Sequence, residues 1–375
     1  MAQDTGRRAV LISSPKLWEH GFGGRHPLKP ERLERTVALL NAYGAFDALN
    51  AWVVEPRPAT DEELARFHTP EYIDAVHRLS AGESSIPAHY YGFGPGDNPV
   101  FSGMYESSRL KAGGGLQGAE MLLSGACDVA FNFSGGLHHA RPAQASGFCI
   151  FNDVAVTIAW LLTQGKRVAY VDIDAHHGDG VQDGFYDTDQ VLTISLHQDG
   201  HTLFPGTGFV DEAGRGRGEG YAVNIPLRPR TDDETYLWVF RELVPPLVRR
   251  YDPDVLVTQL GVDTHYEDPL TFLTVSTHGH EALVQEFAAL ATMPWLACGG
   301  GGYDLDVVPR SWTLAYGVMS EQTFDDELPA AYRERYGGRW LHDRDVPTLG
   351  ETTKARVRSH AEEIVAAVKA RHGLA

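Results

Sequence analysis

The sequence predicts an α/β fold: a parallel sheet with helices on both faces. Three observations predict it. Short apolar runs alternate with segments of helical periodicity, as strand–helix–strand crossovers require. Several runs are apolar at nearly every position, as strands buried on both faces should be. Each polar or glycine-rich cluster follows directly on such a run, where ligands sit in open α/β sheets.

The elements follow in order. Candidate strands occupy residues 9–12, 128–133, 167–173, 191–196, 255–259 and 295–298. Thr60 with Glu63 forms a capping box ahead of Leu64 and Phe67. Thr69 before Pro70 marks a second helix start, with Tyr72, Ile73, Val76 and Leu79 at helical spacing. Asn152 or Asp153 caps a helix running to Thr163. Near the C-terminus, Val357, Ala361, Ile364 and Val368 form one stripe of an amphipathic helix packed on the body. Two long loops, 81–103 and 197–221, are of a length that usually serves function. No linker, repeat or low-complexity tract interrupts the chain, so residues 1–375 read as one domain.

Acidic residues number 50 against 32 Lys and Arg, a formal charge of −18. Such a surface repels nucleic acid and anionic membrane and attracts basic substrates. Cys127, Cys149 and Cys298 are too few and too scattered for a disulfide framework or a cysteine zinc site, and they suit a reducing compartment. The apolar run behind Arg7 and Arg8 is too short for a signal peptide. The longest uncharged stretch, 287–303, contains Pro294 and four consecutive glycines, which excludes a membrane helix. The expectation is a cytoplasmic enzyme.

Four clusters carry chemistry. Asp172, Asp174 and His176 alternate as the strand 167–173 runs out, so they face one side. Carboxylate and imidazole are good ligands for first-row metals. Asp263, after the strand 255–259, is the natural third ligand. Two carboxylates and one imidazole neutralise a divalent cation and leave a position open for water. The pair His138-His139 follows Gly135-Gly136 at the end of the strand 128–133 and suits a general base and acid. Asp172 and Asp179 can orient those imidazoles. The run Gly299–Gly302 lets backbone approach a ligand closely and delivers Tyr303, whose hydroxyl can donate to a developing oxyanion. No Lys-Ser/Thr follows those glycines, so they do not form a Walker-type phosphate cradle.

The motifs GGLHHARPAQASGFCIFND, YVDIDAHHGDGVQDGFY, TISLHQDGHTLFPGTG, QLGVDT and GGGGY, with HPLKPERLERT and FHTPEY ahead of them, resemble the zinc-dependent histone deacetylase family. The likeness is to its bacterial acetoin-utilisation (AcuC-type) branch, similar to the eukaryotic class I enzymes, and it covers roughly residues 10 to 340. It implies the arginase/deacetylase fold, a single eight-stranded parallel sheet sandwiched between helices. It makes Asp174, His176 and Asp263 the ligands of Zn²⁺ or Fe²⁺. His139 becomes the general base and then acid, paired with Asp179. His138 becomes its electrostatic partner, paired with Asp172, and Tyr303 the oxyanion donor. Phe148 and Phe204 resemble the two walls of a tunnel for an acyl-lysine stem, with the Gly147 carbonyl accepting the amide N–H. Asp97 is similar to the family's rim acid, and Arg32 to the arginine of an acetate-exit channel. The resemblance also implies K⁺ or Na⁺ near Asp172, Asp174, His176, Ser195 and Leu196, and near Phe185, Thr188, Val191 and Tyr221.

The implied function is removal of acetyl groups from protein acetyl-lysine, with an acyl-CoA synthetase as a possible target. The alternative is an acetylpolyamine amidohydrolase. Its relatives place an acid at the gate, where this chain has Leu270, flanked by Glu267 and Asp268. A two-Mn²⁺ ureohydrolase needs acids where this chain has Gly178 and Gly261. Asp304 stands where class I enzymes usually carry Asn, and Leu203 where an aromatic is common, which implies a wider tunnel mouth.

Overall fold

The computed structural model describes residues 6–374. Eight strands form one sheet: β1 (Ala9–Ile12), β2 (Ala51–Val54), β3 (Val129–Asn132), β4 (Val168–Asp172), β5 (Val191–Gln198), β6 (Ala222–Leu227), β7 (Val255–Gln259) and β8 (Trp295–Cys298). Their order is β2-β1-β3-β8-β7-β4-β5-β6, and every pairing is parallel.

Side-chain alternation along each strand feeds two cores. Val129, Phe131, Ala169, Val171, Trp295 and Ala297 face one core. Helices Glu31–Ala42, Asp233–Tyr251, Thr277–Leu290, Val307–Met319 and Glu351–His372 contribute to that side. Ala130, Val168, Tyr170, Leu296 and Cys298 face the other, closed by helices Met104–Leu123 and Asp153–Thr163. A satellite cluster joins helix Pro70–Ser80 to the same Met104–Leu123 helix.

All six expected strands form; 9–12, 255–259 and 295–298 keep their ends, and the other three shift by one or two residues. The structure adds two that the apolar runs did not reveal, β2 and β6, and both are edges of the sheet. The run at 191–196 continues through His197 and Gln198, so the long loop begins after Gln198 rather than at His197. The loop 81–103 contains a single short turn of 3₁₀ helix, Ala88–Tyr91. Local signals hold elsewhere. Thr60 and Glu63 make the reciprocal capping box, Thr69 caps the helix at Pro70, and Asn152 rather than Asp153 caps the next. The C-terminal helix lies against helix Asp233–Tyr251 and covers the edge strand β6.

The four central neighbours β3, β8, β7 and β4 matter most for function. Their carboxyl ends lead into the four polar clusters, so the topology gathers segments more than a hundred residues apart.

Candidate active site

Past β4 the backbone is shaped by its own carboxylates. Asp172 Oδ1 accepts from the Asp174 amide (3.0 Å), and Asp174 Oδ1 from the His176 amide (2.9 Å). From β7, Asp263 Oδ1 accepts the Ala175 amide (2.8 Å), which locks the two strand ends together. His176 Nδ1 then lies 3.1 Å from Asp174 Oδ1 and 2.9 Å from Asp263 Oδ2. All three residues are buried.

This donor set fits a divalent cation. Ligand atoms around a tetrahedral first-row ion stand roughly 3.3 Å apart, close to the spacing here. Two buried carboxylates share one imidazole, so the cluster needs further positive charge. Burial and the neighbouring Asp174 push Asp263 up to about 6. Gln259 Nε2 (2.6 Å) and the Gly301 amide (2.8 Å) both donate to Asp174 Oδ2 and fix its second oxygen. A Cβ at Gly301 would lie 2.2 Å from Asp263 Oδ2, so the tetraglycine loop is the wall of this pocket. Gly178 and Gly261 face Asp172 and Asp174 at 2.5 and 2.3 Å in the same sense. The acids that a second metal would need have neither side chain nor room there.

Beside the triad stand the two histidines. His138 Nδ1 is 2.7 Å from Asp172 Oδ2, and His139 Nδ1 is 2.7 Å from Asp179 Oδ1. Their Nε2 atoms face each other at 3.1 Å. The Gly135-Gly136 turn that presents them is held by Asp153, which accepts the amides of Gly136 and Leu137. Burial disfavours charge on both rings. On His138, Asp172 and Asp174 outweigh it and lift the imidazole to about 9. On His139, burial joins repulsion from His138 and the value falls to about 4. Near neutrality one ring carries a proton and the other is free to accept one.

Tyr303 approaches from the glycine loop. Its amide donates to Asp268 Oδ2 (2.9 Å), and its ring packs edge-on to Phe148 at 5.7 Å. Burial, with Asp263 and Asp174, raises the phenol well above its usual range, so the hydroxyl remains a donor. Arg32 is buried under the same loop, and its Nη1 donates to the carbonyls of Gly300 (2.7 Å) and Gly302 (3.0 Å). Asp304 accepts the amides of Asp306 and Val307 in the turn that leads into the following helix.

Above this floor, the Phe204 ring lies 5.1 Å from that of His139 and is 43% exposed. Gly147 has φ +51°, and a Cβ there would strike the His139 ring at 2.4 Å. Asp97 is exposed; its carbonyl bonds the His26 ring (3.0 Å), which packs edge-on to Phe148. Leu270 is half-buried, with its amide on Asp268 Oδ1 (2.9 Å). Ser195 and Leu196 on β5 lie alongside β4, where Ser195 pairs with Asp172. Phe185, Thr188, Val191 and Tyr221 gather separately, around the turn that opens β5.

Gln259 and Tyr170 had no role in the sequence reading, and Asp268 entered it only as an acid flanking the gate. Gln259 anchors Asp174. Asp268 anchors the Tyr303 backbone. Tyr170 donates its hydroxyl to Asp172 Oδ2 (2.5 Å). The first two act across chain crossings, which no local motif announces. Tyr170 stands in the same alternation as Asp172 and was readable from it.

Comparison with known proteins bears on this arrangement. Residues 26–319 match the model of the histone deacetylase domain. The chain is 44% identical over 332 residues to the acetoin utilization protein AcuC of Bacillus subtilis, covering 86% of this chain and 85% of that one. It is 39% identical to the histone deacetylase RPD3 of Saccharomyces cerevisiae, over 88% of this chain and 76% of that one. The crystal structure of a histone deacetylase homologue from Aquifex aeolicus superposes with a TM-score of 0.87 at 31% identity, covering 97% of this chain and 100% of the other.

Proposed function

The chain belongs to the histone deacetylase family, and on that premise we propose that it hydrolyses the acetyl amide of Nε-acetyl-lysine in proteins. The observation that carries this reading is the buried convergence of Asp174, His176 and Asp263 beside the paired imidazoles of His138 and His139.

Asp174, His176 and Asp263 would hold Zn²⁺ or Fe²⁺, since two carboxylates and one imidazole suit either. The chemistry such a cation would supply there is Lewis acidity toward the acetyl carbonyl and a lowered pKa for the nucleophilic water. The rest falls to the chain's own groups. Phe148 and Phe204 flank the lysine stem, and the Gly147 carbonyl accepts the amide N–H. Asp97 holds the substrate backbone at the rim. His139, neutral and oriented by Asp179, takes the proton from the attacking water and passes it to the departing lysine amine. His138, charged against Asp172, stabilises the negative charge that develops. The Tyr303 hydroxyl donates to the former carbonyl oxygen.

K⁺ or Na⁺ would stabilise the β4–β5 junction near Ser195 and Leu196 and the turn at Phe185, Thr188, Val191 and Tyr221. An apolar Leu270 at the gate supports acetyl-lysine, and the inward turn of Asp268 leaves only Glu267 as an exposed acid there. We place the protein in the cytoplasm as one domain, with an acyl-CoA synthetase as candidate target; no helix among the described residues is long and apolar enough to cross a membrane.

The test is acetate release by metal-stripped protein resupplied with Zn²⁺ or Fe²⁺, using an acetyl-lysine peptide and acetylspermidine. Peptide turnover abolished by Asp174→Ala is the expected result. Faster release from acetylspermidine would transfer the function to small acetylated amines, and no release from either would overturn the reading.

A further inference from the structure

A surface groove runs between the turn that follows β6, the start of the long loop after Gln198 and the C-terminal helix Glu351–His372. Arg228, Arg230, Arg356 and His360 line it, and Asp199 is its one acid among the described residues. That acid is already engaged: Asp199 Oδ1 accepts the His201 amide (2.9 Å) and lies 2.7 Å from the His201 ring. The three guanidinium groups are exposed and have no hydrogen bond or ion pair among the described residues. Other exposed arginines of this chain find carboxylates: Arg78 binds Glu83, Arg215 binds Asp187, and Arg217 binds Asp189. With 50 acidic residues against 32 Lys and Arg, three unpaired guanidiniums on one groove reverse the local charge.

The groove is tied to the rim of the active site. Gln198 Oε1 accepts the Phe272 amide (2.8 Å), and its Nε2 donates to Thr202 Oγ1 (3.0 Å). Thr202 lines the groove and stands two residues before Phe204, so their Cα atoms are at most about 7 Å apart. Phe272 stands two residues after Leu270, and its carbonyl accepts the Arg230 amide (2.6 Å). Arg230 itself holds a left-handed backbone, φ +71°, which a long side chain seldom adopts unless its surroundings impose it. On the opposite bank, the His360 ring lies 3.3 Å from the Pro226 carbonyl and keeps the helix face that carries Arg356 against the arginine turn. The charges are thus set by bonded backbone on one bank and by a docked helix on the other.

We propose that this groove docks an acidic segment of the substrate polypeptide, about three to five residues from its acetyl-lysine, with Arg228, Arg230 and Arg356 meeting the carboxylates. The proposal rests on the reading of the chain as a protein deacetylase and deepens it by naming a class of substrate. The net acidity of the protein disfavours such a segment, so a basic groove at the rim discriminates among acetyl-lysines by what flanks them. A small acetylated amine is too short to reach it.

The experiment gives the full-length protein acetyl-lysine peptides of equal length that carry two Glu, two Gln or two Lys at those positions, on either side of the acetyl-lysine in turn. On one side the Glu peptide should exceed the Gln peptide about fivefold in kcat/KM, through KM with kcat equal. That preference should shrink as salt screens exposed charges. The double variant Arg228→Gln, Arg356→Gln should lose the preference and keep its kcat on the Gln peptide, and Arg356→Glu should turn the preference toward the Lys peptide. In parallel, fluorescence anisotropy follows binding of the labelled Glu peptide to the wild type and the double variant. Equal kcat/KM for the Glu and Gln peptides in the wild type overturns the proposal, as does a preference that survives in the double variant. A single-stranded oligonucleotide that displaces the labelled peptide and binds more tightly would overturn it in favour of nucleic acid. Arginine-dependent binding of the Glu peptide by a protein that releases acetate from no peptide would instead remove the deacetylase reading and leave the groove standing.

Discussion

Two histidine–aspartate pairs stand side by side with the same 2.7 Å bond, and their surroundings drive them in opposite directions. The inner pair is closed off. Asp172 is wholly buried, takes the Tyr170 hydroxyl, and has Asp174 as a neighbour that also faces His138. The outer pair reaches toward solvent through Arg141, which bonds Asp179 at 3.3 Å and is 44% exposed. Burial penalises both imidazolium ions. Two carboxylates compensate His138, whereas His139 has one, plus the repulsion of its neighbour. A His-Asp motif therefore does not fix a protonation state; the second carboxylate in reach does.

Removing each ring in turn should separate the two pairs by the largest margin. His139→Ala should lower kcat by about 10²–10⁴, the range of general acid–base catalysis, while binding of the cation at the triad persists. His138→Ala should cost distinctly less, and equal losses would end the division of labour between them. Tyr303→Phe gives a yardstick outside both pairs: a loss of about 10²–10³ in kcat with little change in KM. Near-normal turnover in that variant would remove the tyrosine from the oxyanion role.

Removing the carboxylates sharpens the contrast. Asp179→Asn should reduce kcat/KM about 10–100-fold, because the tautomer and ring orientation of His139 are lost. The pH profile of kcat/KM should rise through the low value of His139, about 4, as that ring becomes neutral. It should fall through the high value of His138, about 9, as its charge is lost. Asp172→Asn removes an upward influence on His138 and should move the alkaline limb to lower pH while leaving the acid limb in place. An acid limb that moves instead would reassign the two rings. The smallest effect belongs to Arg141→Ala. An ion pair so open to water is worth at most about 1 kcal/mol, hence a change in kcat/KM within about fivefold.

Much of this was legible in the chain, for a physical reason. Strands buried on both faces are written as apolar runs, and all six of these runs form strands. The two that escaped are edges. Ala51–Val54 is half-exposed, and Ala222–Leu227 is interrupted by Asn224 and Pro226. Edge strands tolerate proline and polarity because one side of their ladder is unpaired. Asp174 and His176 were readable from their spacing behind the strand, although both lie beyond β4, which ends at Asp172, and Asp263 was readable from its place after the run 255–259. Gln259 and Asp268 were not readable in their roles, since each acts on a segment that only the sheet order brings near.

Asp268 ties the gate to the glycine loop. One oxygen accepts the amide of Leu270 at the gate, and the other accepts the amide of Tyr303. On the proposed function, the element that would meet the substrate and the element that would stabilise its reaction are thus hung on a single carboxylate. Side-chain exchange at position 270 leaves both hydrogen bonds intact, so selectivity can drift there at little expense in rate. Insertions or deletions within the turn would drag the tyrosine with them. Adaptation to a new amine would then be confined to point changes at the gate, because a change in loop length would disturb the hydrogen bond to Tyr303.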